Sequence, residues 1–405
     1  MTAPKIQNPL AFFSKYLFLL NKVYAMTRKE YHTTPEGNLW RMLTRSKSVV
    51  LFIGFAALLS AGLASCTKDG DTILLPDPDD APSTAPLVTV FYDPNALGDS
   101  GYNDLIYTGV ESAARQYGLR TMQLSPSSIE EGMTYLQTMF QQLDALNDTV
   151  RRLFIVAAAS YDDYLRQNNS RLDAHPSTSL LYLETDTPLD GKGSTLYLPY
   201  YGAMFKAGAI APALAPEVLL VGANPKVKPV TDAVRGFADG FSNSPVPDGE
   251  YTPKKLVTAW LSDDVSGGFA VPDSTAMRLM FGQEWKGAEQ ILVPVCGGAG
   301  STFRRLCEMT GDYNYVGIDT TVISTLCHFS VVKHIDRAVA LCIGQWLSPD
   351  GMPKHQQLGL ADGYTEVVLH PYGDYYKELF AQTLTADMLQ AIHAEAVRKE
   401  AADEN

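Results

Sequence analysis

Four short stretches of this 405-residue sequence gather side chains that could hold a small polar molecule. The first, 93–103 (DPNALGDSGYN), carries Asp93, Asp99, Tyr102 and Asn103 around Gly98 and Gly101. The second, 296–302 (CGGAGST), sets Gly297, Gly298 and Gly300 beside two hydroxyls. The third is Gly317-Ile318-Asp319, and the fourth, 330–333 (SVVK), ends in Lys333. Carboxylates accept, an ammonium donates, a side-chain amide does both, and glycine lets backbone come close to a partner. Each stretch reads as a turn opening a helix, where free backbone N–H groups can meet oxygen atoms.

Catalytic readings of the same residues do not carry. Gly98-Asp99-Ser100-Gly101 matches the G-D-S-G around a protease nucleophile, but that chemistry needs a His and an Asp on an all-β frame. No His lies between Cys66 and Ser100. The glycines at 297, 298 and 300 lack the Gly-Lys-Ser/Thr of a P-loop and do not fit G-x-G-x-x-G. His328 and His334 are six apart, off the spacing of paired helical metal ligands, and His355 and His370 add no cluster. The expectation is a non-enzyme with no cofactor and no metal.

Alternating apolar runs and amphipathic periods position the four stretches. Strands are expected at 87–92, 119–124, 153–158, 180–183 and 195–198, from short runs rich in Val, Leu and aromatics. Residues 102, 105, 106, 109, 110, 113, 114 and 117 recur at helical spacing, and a second helix runs from Ile129 to Leu143. A second series begins near Pro216, with strands at 218–222, 256–261, 291–295 and 315–318. Its helices centre on 230–241, 276–281 and 303–310. A late unit adds a strand at 329–332 and a helix at 335–346. Such alternation implies right-handed crossovers and parallel sheets covered on both faces, so the fold class is α/β in two halves. In parallel sheets, ligands bind beyond the carboxyl ends of the strands, where the four stretches fall.

Residues 49–64 (VVLFIGFAALLSAGLA) are uncharged. Spanning a bilayer takes about 20 residues, so this stretch suits a signal-peptide core better. Arg41, Arg45 and Lys47 precede it, and Leu63-Ala64-Ser65-Cys66 follows, resembling a bacterial lipobox cleaved before the lipid-accepting Cys66. Met42 would start a compact signal, which makes 1–41 an over-extended start. Residues 66–86 (CTKDGDTILLPDPDDAPSTAP) are rich in Pro, Asp and small residues and read as a disordered tether. The formal net charge is −13, and removing 1–65 takes away eight basic and two acidic residues, leaving −19. That balance argues against nucleic acid as a partner. Five cysteines are too few for a disulfide scaffold, and spacing assigns no partners to Cys296, Cys307, Cys327 and Cys342.

In order along the chain, the motifs resemble the basic membrane protein family, also called PnrA-like lipoproteins. The resemblance rests on Asp93 followed by Asp99-Ser100-Gly101-Tyr102-Asn103 and Gly109, and on the 200–208 run YYGAMFKAG. It continues through Gly236-Phe237-Ala238-Asp239-Gly240, the CGGAG loop at 296–300, Gly317-Ile318-Asp319, Ser330-Val331-Val332-Lys333 and Gly359-Leu360-Ala361-Asp362-Gly363. It implies a periplasmic-binding-protein type I fold: two Rossmann-like lobes with parallel sheets and a ligand cleft between them. It further implies a lipid-anchored substrate-binding protein of an ABC transporter, held in the cell envelope by the anchor alone and partnered by a permease. The ligand implied is a purine nucleoside, with a sugar or other small polar molecule, or a sensor or adhesin role without transport, as alternatives.

Carried onto this sequence, the implied ligand-binding residues are Asp93, Tyr102, Asn103, Phe269, Gly297, Gly298, Asp319 and Lys333. Tyr102 would stack on a base, Asn103 would read an edge, Asp93 and Asp319 would accept from hydroxyls, and Lys333 would donate. Plainer uses stand beside these: Tyr102 as a core aromatic, Asp319 as a helix N-cap, Lys333 as a solvated lysine. Departures from the family pattern are Tyr102 for Phe, Gly101 loosening the helix start, Cys296 for Ala and Ala299 for Thr. The implied division is 1–65 signal and over-extended start, 66–86 tether, 87–198 plus 326–354 N-terminal lobe, 199–325 plus 355–373 C-terminal lobe, and 374–405 helical tail. Hinges are expected near 199 and 326.

Overall fold

The structure, a computed structural model, describes residues 84–94, 96–145, 150–246, 254–284, 289–370 and 373–403. The expected signal segment, Cys66 and the tether up to residue 83 lie outside these residues. Among the described residues, no helix is long and apolar enough to cross a membrane.

The first half runs β1 (Leu87–Phe91), α1 (Tyr102–Tyr117), β2 (Arg120–Leu124), α2 (Ile129–Gln141), β3 (Arg152–Val156), α3 (Asp162–Asn168), β4 (Thr178–Leu183) and β5 (Ser194–Tyr197). The second runs α4 (Tyr201–Ile210), β6 (Glu217–Gly222), α5 (Lys228–Ser242), β7 (Lys255–Trp260), α6 (Asp273–Phe281), β8 (Gln290–Val295), α7 (Ala299–Thr310), β9 (Asn314–Asp319) and β10 (Cys327–Lys333). The chain then passes through α8 (Ile335–Leu347), β11 (His355–Gln357) and β12 (Thr365–Leu369), and ends in α9 (Gly373–Thr383) and α10 (Ala386–Asp403).

These strands form two six-stranded sheets, in the orders β11-β5-β4-β3-β1-β2 and β12-β10-β9-β8-β6-β7. All pairings are parallel except β10 with β12. The central strands β1, β3 and β6 are buried along their whole length, as continuous apolar runs require when helices cover both faces. Each lobe has its own core: Val88, Ile106, Leu153 and Trp346 in the first; Leu219, Phe237, Phe303 and Phe329 in the second. The α/β class and the two-sheet plan expected from the sequence are those observed.

Two expectations are corrected by the strand pairing. Residues 326–354 do not all belong to the first lobe, because β10 pairs with β9 and β12 in the second sheet. The chain therefore crosses back only at His334, and α8 packs against α1 in the first lobe. Likewise β11 rejoins the first sheet beside β5, so the last crossing is at 358–364 and not at 355. The first crossing, 198–200, falls beside the expected hinge at 199. The SVVK stretch is no loop either. It is the end of β10, wholly buried.

α4 escaped the periodicity reading for a physical reason. Nine of its ten residues are buried, so it shows no polar face. It lies against α5 at very short range. A Cβ at Gly240 would come within 1.9 Å of the Phe205 carbonyl oxygen, and one at Gly208 within 2.1 Å of the Phe237 carbonyl oxygen. α10 docks on α4 through buried Ile392, Ala396 and Glu400.

Cys296, Cys307, Cys327 and Cys342 are free and buried. Burial pushes the thiols of Cys307 and Cys342 up to about 12 and that of Cys327 up to about 11, which makes them poor nucleophiles.

Gly240→Ala tests the helix contact. The added methyl must drive α4 and α5 apart, so stability should fall by about 1–3 kcal/mol, read by thermal melting. A melting temperature equal to wild type would mean the two helices separate without cost.

Candidate functional site

The carboxyl ends of five strands from two sheets meet at one seam. β1 delivers Asp93, β4 delivers Glu184, β8 opens into Cys296-Gly297-Gly298, β9 ends in Asp319 and β10 ends in Lys333. This is where an open parallel sheet presents backbone and side chains to a ligand. The loop before α1 enters the seam from the first lobe. Asp99 accepts from the N–H groups of Gly101 (2.8 Å) and Asn103 (3.1 Å), while Asp104 accepts from those of Gly98 and Ser100 (2.8 Å each). Two carboxylates thus firm the helix start that Gly101 was expected to loosen.

Lys333 lies at the centre. Its side chain is 3% exposed, and its Nζ is 2.9 Å from Glu184 Oε2 across the seam. The same ammonium sits over the rings of Tyr200 (4.9 Å) and Tyr102 (5.6 Å), a cation–π arrangement on two faces. The Tyr200 hydroxyl donates to the Val331 carbonyl (2.9 Å) and accepts from the Asp319 N–H (3.2 Å). Three non-glycine residues have positive φ among those described, Ser100 (53°), Glu184 (60°) and Asp319 (67°), and all three face this seam. Such backbone is costly outside glycine and gathers at functional sites.

The electrostatics are set by burial. Asp319 is pushed up to about 6 by desolvation, against the pull of Lys333. Asp93 is also pushed up to about 6 by burial, opposed by a hydrogen bond from Ser160 Oγ at 2.9 Å. Burial raises Glu184 too, and Lys333 counters it. The Tyr102 phenol is raised first by burial, then by the charges of Glu184, Asp319 and Asp93, which surround it.

No family model matches the chain, and no curated protein matches it by sequence. Solved structures do match in shape. A solute-binding protein of an ABC transporter system from Aeropyrum pernix K1 superposes with a TM-score of 0.54 at 17% identity, covering 78% of this chain and 86% of that one. A transcriptional activator of the comK gene from Bacillus halodurans gives 0.52 at 13% identity, covering 75% and 97%. An ABC transporter system solute-binding protein from Conexibacter woesei DSM 14684 gives 0.52 at 11% identity, covering 79% and 97%.

The chain has the type I periplasmic-binding-protein fold.

In that fold the seam is the cleft between the lobes, and here the lobes touch across it. A Cβ on Gly101 would lie 3.9 Å from Asp319 Oδ2, and one on Gly298 3.9 Å from Asp99 Cβ. The recess between Asp99, Gly101, Tyr102, Gly297, Arg304 and Asp319 measures about 50 Å³, room for one or two waters. It opens at Ser100, Ser301 and Arg304 into a broad groove of about 770 Å³. Of the expected site residues, Tyr102, Asp319 and Lys333 converge at the seam. Gly297 and Gly298 line it beside Phe269, whose ring carbon Cδ1 would be 3.1 Å from a Cβ on Gly297. Asp93 lies behind Tyr102, held by Ser160. Asn103 spends its amide on Asp99 (Nδ2 to Oδ2, 2.9 Å), so that donor supports the loop. Lys333 is buried and paired, which removes the reading of it as a solvated lysine.

Sequence reasoning missed Glu184 and Tyr200. Glu184 directly follows the expected strand at 180–183, so the rule on strand ends could have flagged it. Tyr200 stands two residues past the expected strand at 195–198, at the head of the 200–208 run, but only the crossover brings it under Lys333. Among the described residues there is no group of His, Cys, Asp and Glu that could hold a metal ion.

Asp319 gives a pH test. A carboxyl raised on folding, here from 3.8 to about 6, binds its proton more tightly folded than unfolded. Its stabilising share is complete below about pH 4 and is lost as pH rises through about 6. Asp319→Asn suits the positive φ and should remove that loss. The variant should exceed wild type by on the order of 2 kcal/mol above pH 7 and converge with it near pH 4. Urea unfolding at both pH values reads this. A variant weaker than wild type throughout would show that contacts to the carboxylate outweigh its burial cost.

Proposed function

We propose that this protein is the solute-binding component of an ABC transporter, anchored to the cell envelope by lipid on Cys66, and that its lobes close on a small polar ligand without chemistry. The observation that carries the reading is the convergence of Tyr102, Asp319 and Lys333 with the Gly297-Gly298 loop between two facing lobes. A purine nucleoside is the ligand put first. Tyr102 and Phe269 offer aromatic faces from opposite lobes, and buried carboxylates suit the hydroxyls of a ribose or the N–H groups of a base. A sugar is the second reading, favoured by the same carboxylates. Two of the three structures named above are solute-binding proteins by name, which supports transport. The third, a transcriptional activator, keeps a sensing role without transport in play. A recess of about 50 Å³ admits no nucleoside, so the lobes must part before the ligand enters.

A thermal-shift screen of purine nucleosides, free bases and monosaccharides tests the ligand. The true ligand at a hundred-fold excess over its Kd should stabilise the fold by about 2.7 kcal/mol. Tyr102→Ala should then weaken binding by about 1–3 kcal/mol by calorimetry, the range for an aromatic stacked on a base. A monosaccharide that stabilises while every nucleoside fails retires the nucleoside reading. Silence from all three classes sinks the small-polar-ligand reading.

Mass spectrometry of the membrane-extracted protein tests the anchor. The mature N-terminus should be Cys66 carrying diacylglycerol, and Cys66→Ser should accumulate the unprocessed chain. A wild-type N-terminus elsewhere ends the lipoprotein reading.

A further inference from the structure

Glu400 is a carboxylate buried where no cleft residue needs it, 4% exposed, near the end of the last helix. Its two oxygens go to two different chain crossings. Oε2 accepts from the Gly202 N–H at 2.8 Å, just past the first crossing at 198–200. Oε1 accepts from the Leu360 N–H at 2.8 Å, inside the last crossing at 358–364. A glycine stands at each crossing where Glu400 packs. A Cβ on Gly202 would stand 2.5 Å from Oε2, and one on Gly359 would stand 2.3 Å from Oε1. The two crossings also touch each other there, since that Gly359 Cβ would lie 3.1 Å from Pro199 Cγ.

The same helix reaches the lobes by a second route. Asp403 pairs with Arg235 at 2.5 Å, and Arg235 pairs with buried Asp232 at 3.0 Å. Asp232 in turn accepts from the hydroxyl of Tyr197, at the end of β5 in the first lobe. Lys228 joins Asp232 (2.8 Å) to Asp186 of the first lobe (3.3 Å).

We infer that Glu400 is a hinge-positioning residue: its carboxylate ties the first and last interlobe crossings to the C-terminal helix and thereby sets the angle between the lobes. A bidentate anion with both oxygens bonded to separate segments fixes their spacing in a way that a single bond does not. Two of the three crossings are then held together, and the lobes turn about a common line near Pro199 and Gly359. The role stands apart from the identity of any ligand, because none of these atoms faces the cleft.

The test uses the full chain without ligand. Dyes carried by unnatural amino acids replace exposed Tyr117 of the first lobe and Met309 of the second, and single-molecule energy transfer reads the interlobe distance. Glu400→Ala should broaden or shift that distribution. It should also speed hydrogen exchange at Gly202 and Leu360 by about tenfold, the loss of one bond to a charged group, while Val90 and Leu219 in the lobe cores stay protected. Glu400→Asp keeps the charge but is too short to reach both amides, and should fall between. A folded Glu400→Ala with the wild-type distance distribution overturns the proposal, even if exchange quickens, because Glu400 is then a local staple. If Glu400→Ala does not fold, Glu400→Asp carries the test on the same readout. If neither folds, Glu400 is a folding residue and the hinge role falls.

Discussion

The buried ammonium of Lys333 and the carboxylate of Glu184 belong to different lobes and pair across the seam. Removing a charge from water costs several kcal/mol, and a lobe that buried either group alone would carry that cost uncompensated. The pair therefore ties the contact between the lobes to electrostatics. The two charges have each other, and for Lys333 the rings of Tyr102 and Tyr200, in place of water. The contact is thus a small difference between large terms.

Everything else at the seam serves to aim groups at that pair. Two sheets of matching strand order bring the carboxyl ends of β4, β9 and β10 into one space, which neither sheet does alone. The backbone is bent into positive φ at Ser100, Glu184 and Asp319, and the surrounding contacts hold it there. Asp99 and Asp104 clamp the loop that carries Ser100, and the Tyr200 hydroxyl grips the Asp319 backbone. Asp319 and Glu184 share a single lysine, and Asp93 lies nearby on Ser160. Burial answers that excess of negative charge by raising the carboxyls toward their neutral forms.

Periodicity made most of the elements legible because most helices keep one wet face and most central strands are unbroken apolar runs. It failed where that contrast vanished. α4 is buried all round, and β11 has only three residues. Motif order located Tyr102, Asp319, Lys333 and the glycine loop, since these lie at strand ends or helix starts. Asn103 lies in the expected loop, where its amide N–H donates to Asp99, four residues back on the same turn, a local bond that the sequence reading did not give it.

The sequence by itself determined the α/β class, the two successive halves and the strand ends that could meet a ligand, because hydrophobic period and loop chemistry are local properties. Which lobe owns β10 and β11 was decided only in three dimensions, where strand pairing, not chain order, assigns a strand to a sheet. The partner of Lys333 was decided there too. Glu184 lies 149 residues away, and nothing in either local pattern says that their strand ends face each other. The same holds for Glu400, whose value depends on the backbone amides of Gly202 and Leu360 being brought side by side. Long-range pairing of charge and hydrogen bonds is a property of packed lobes, and only the packed chain reveals it.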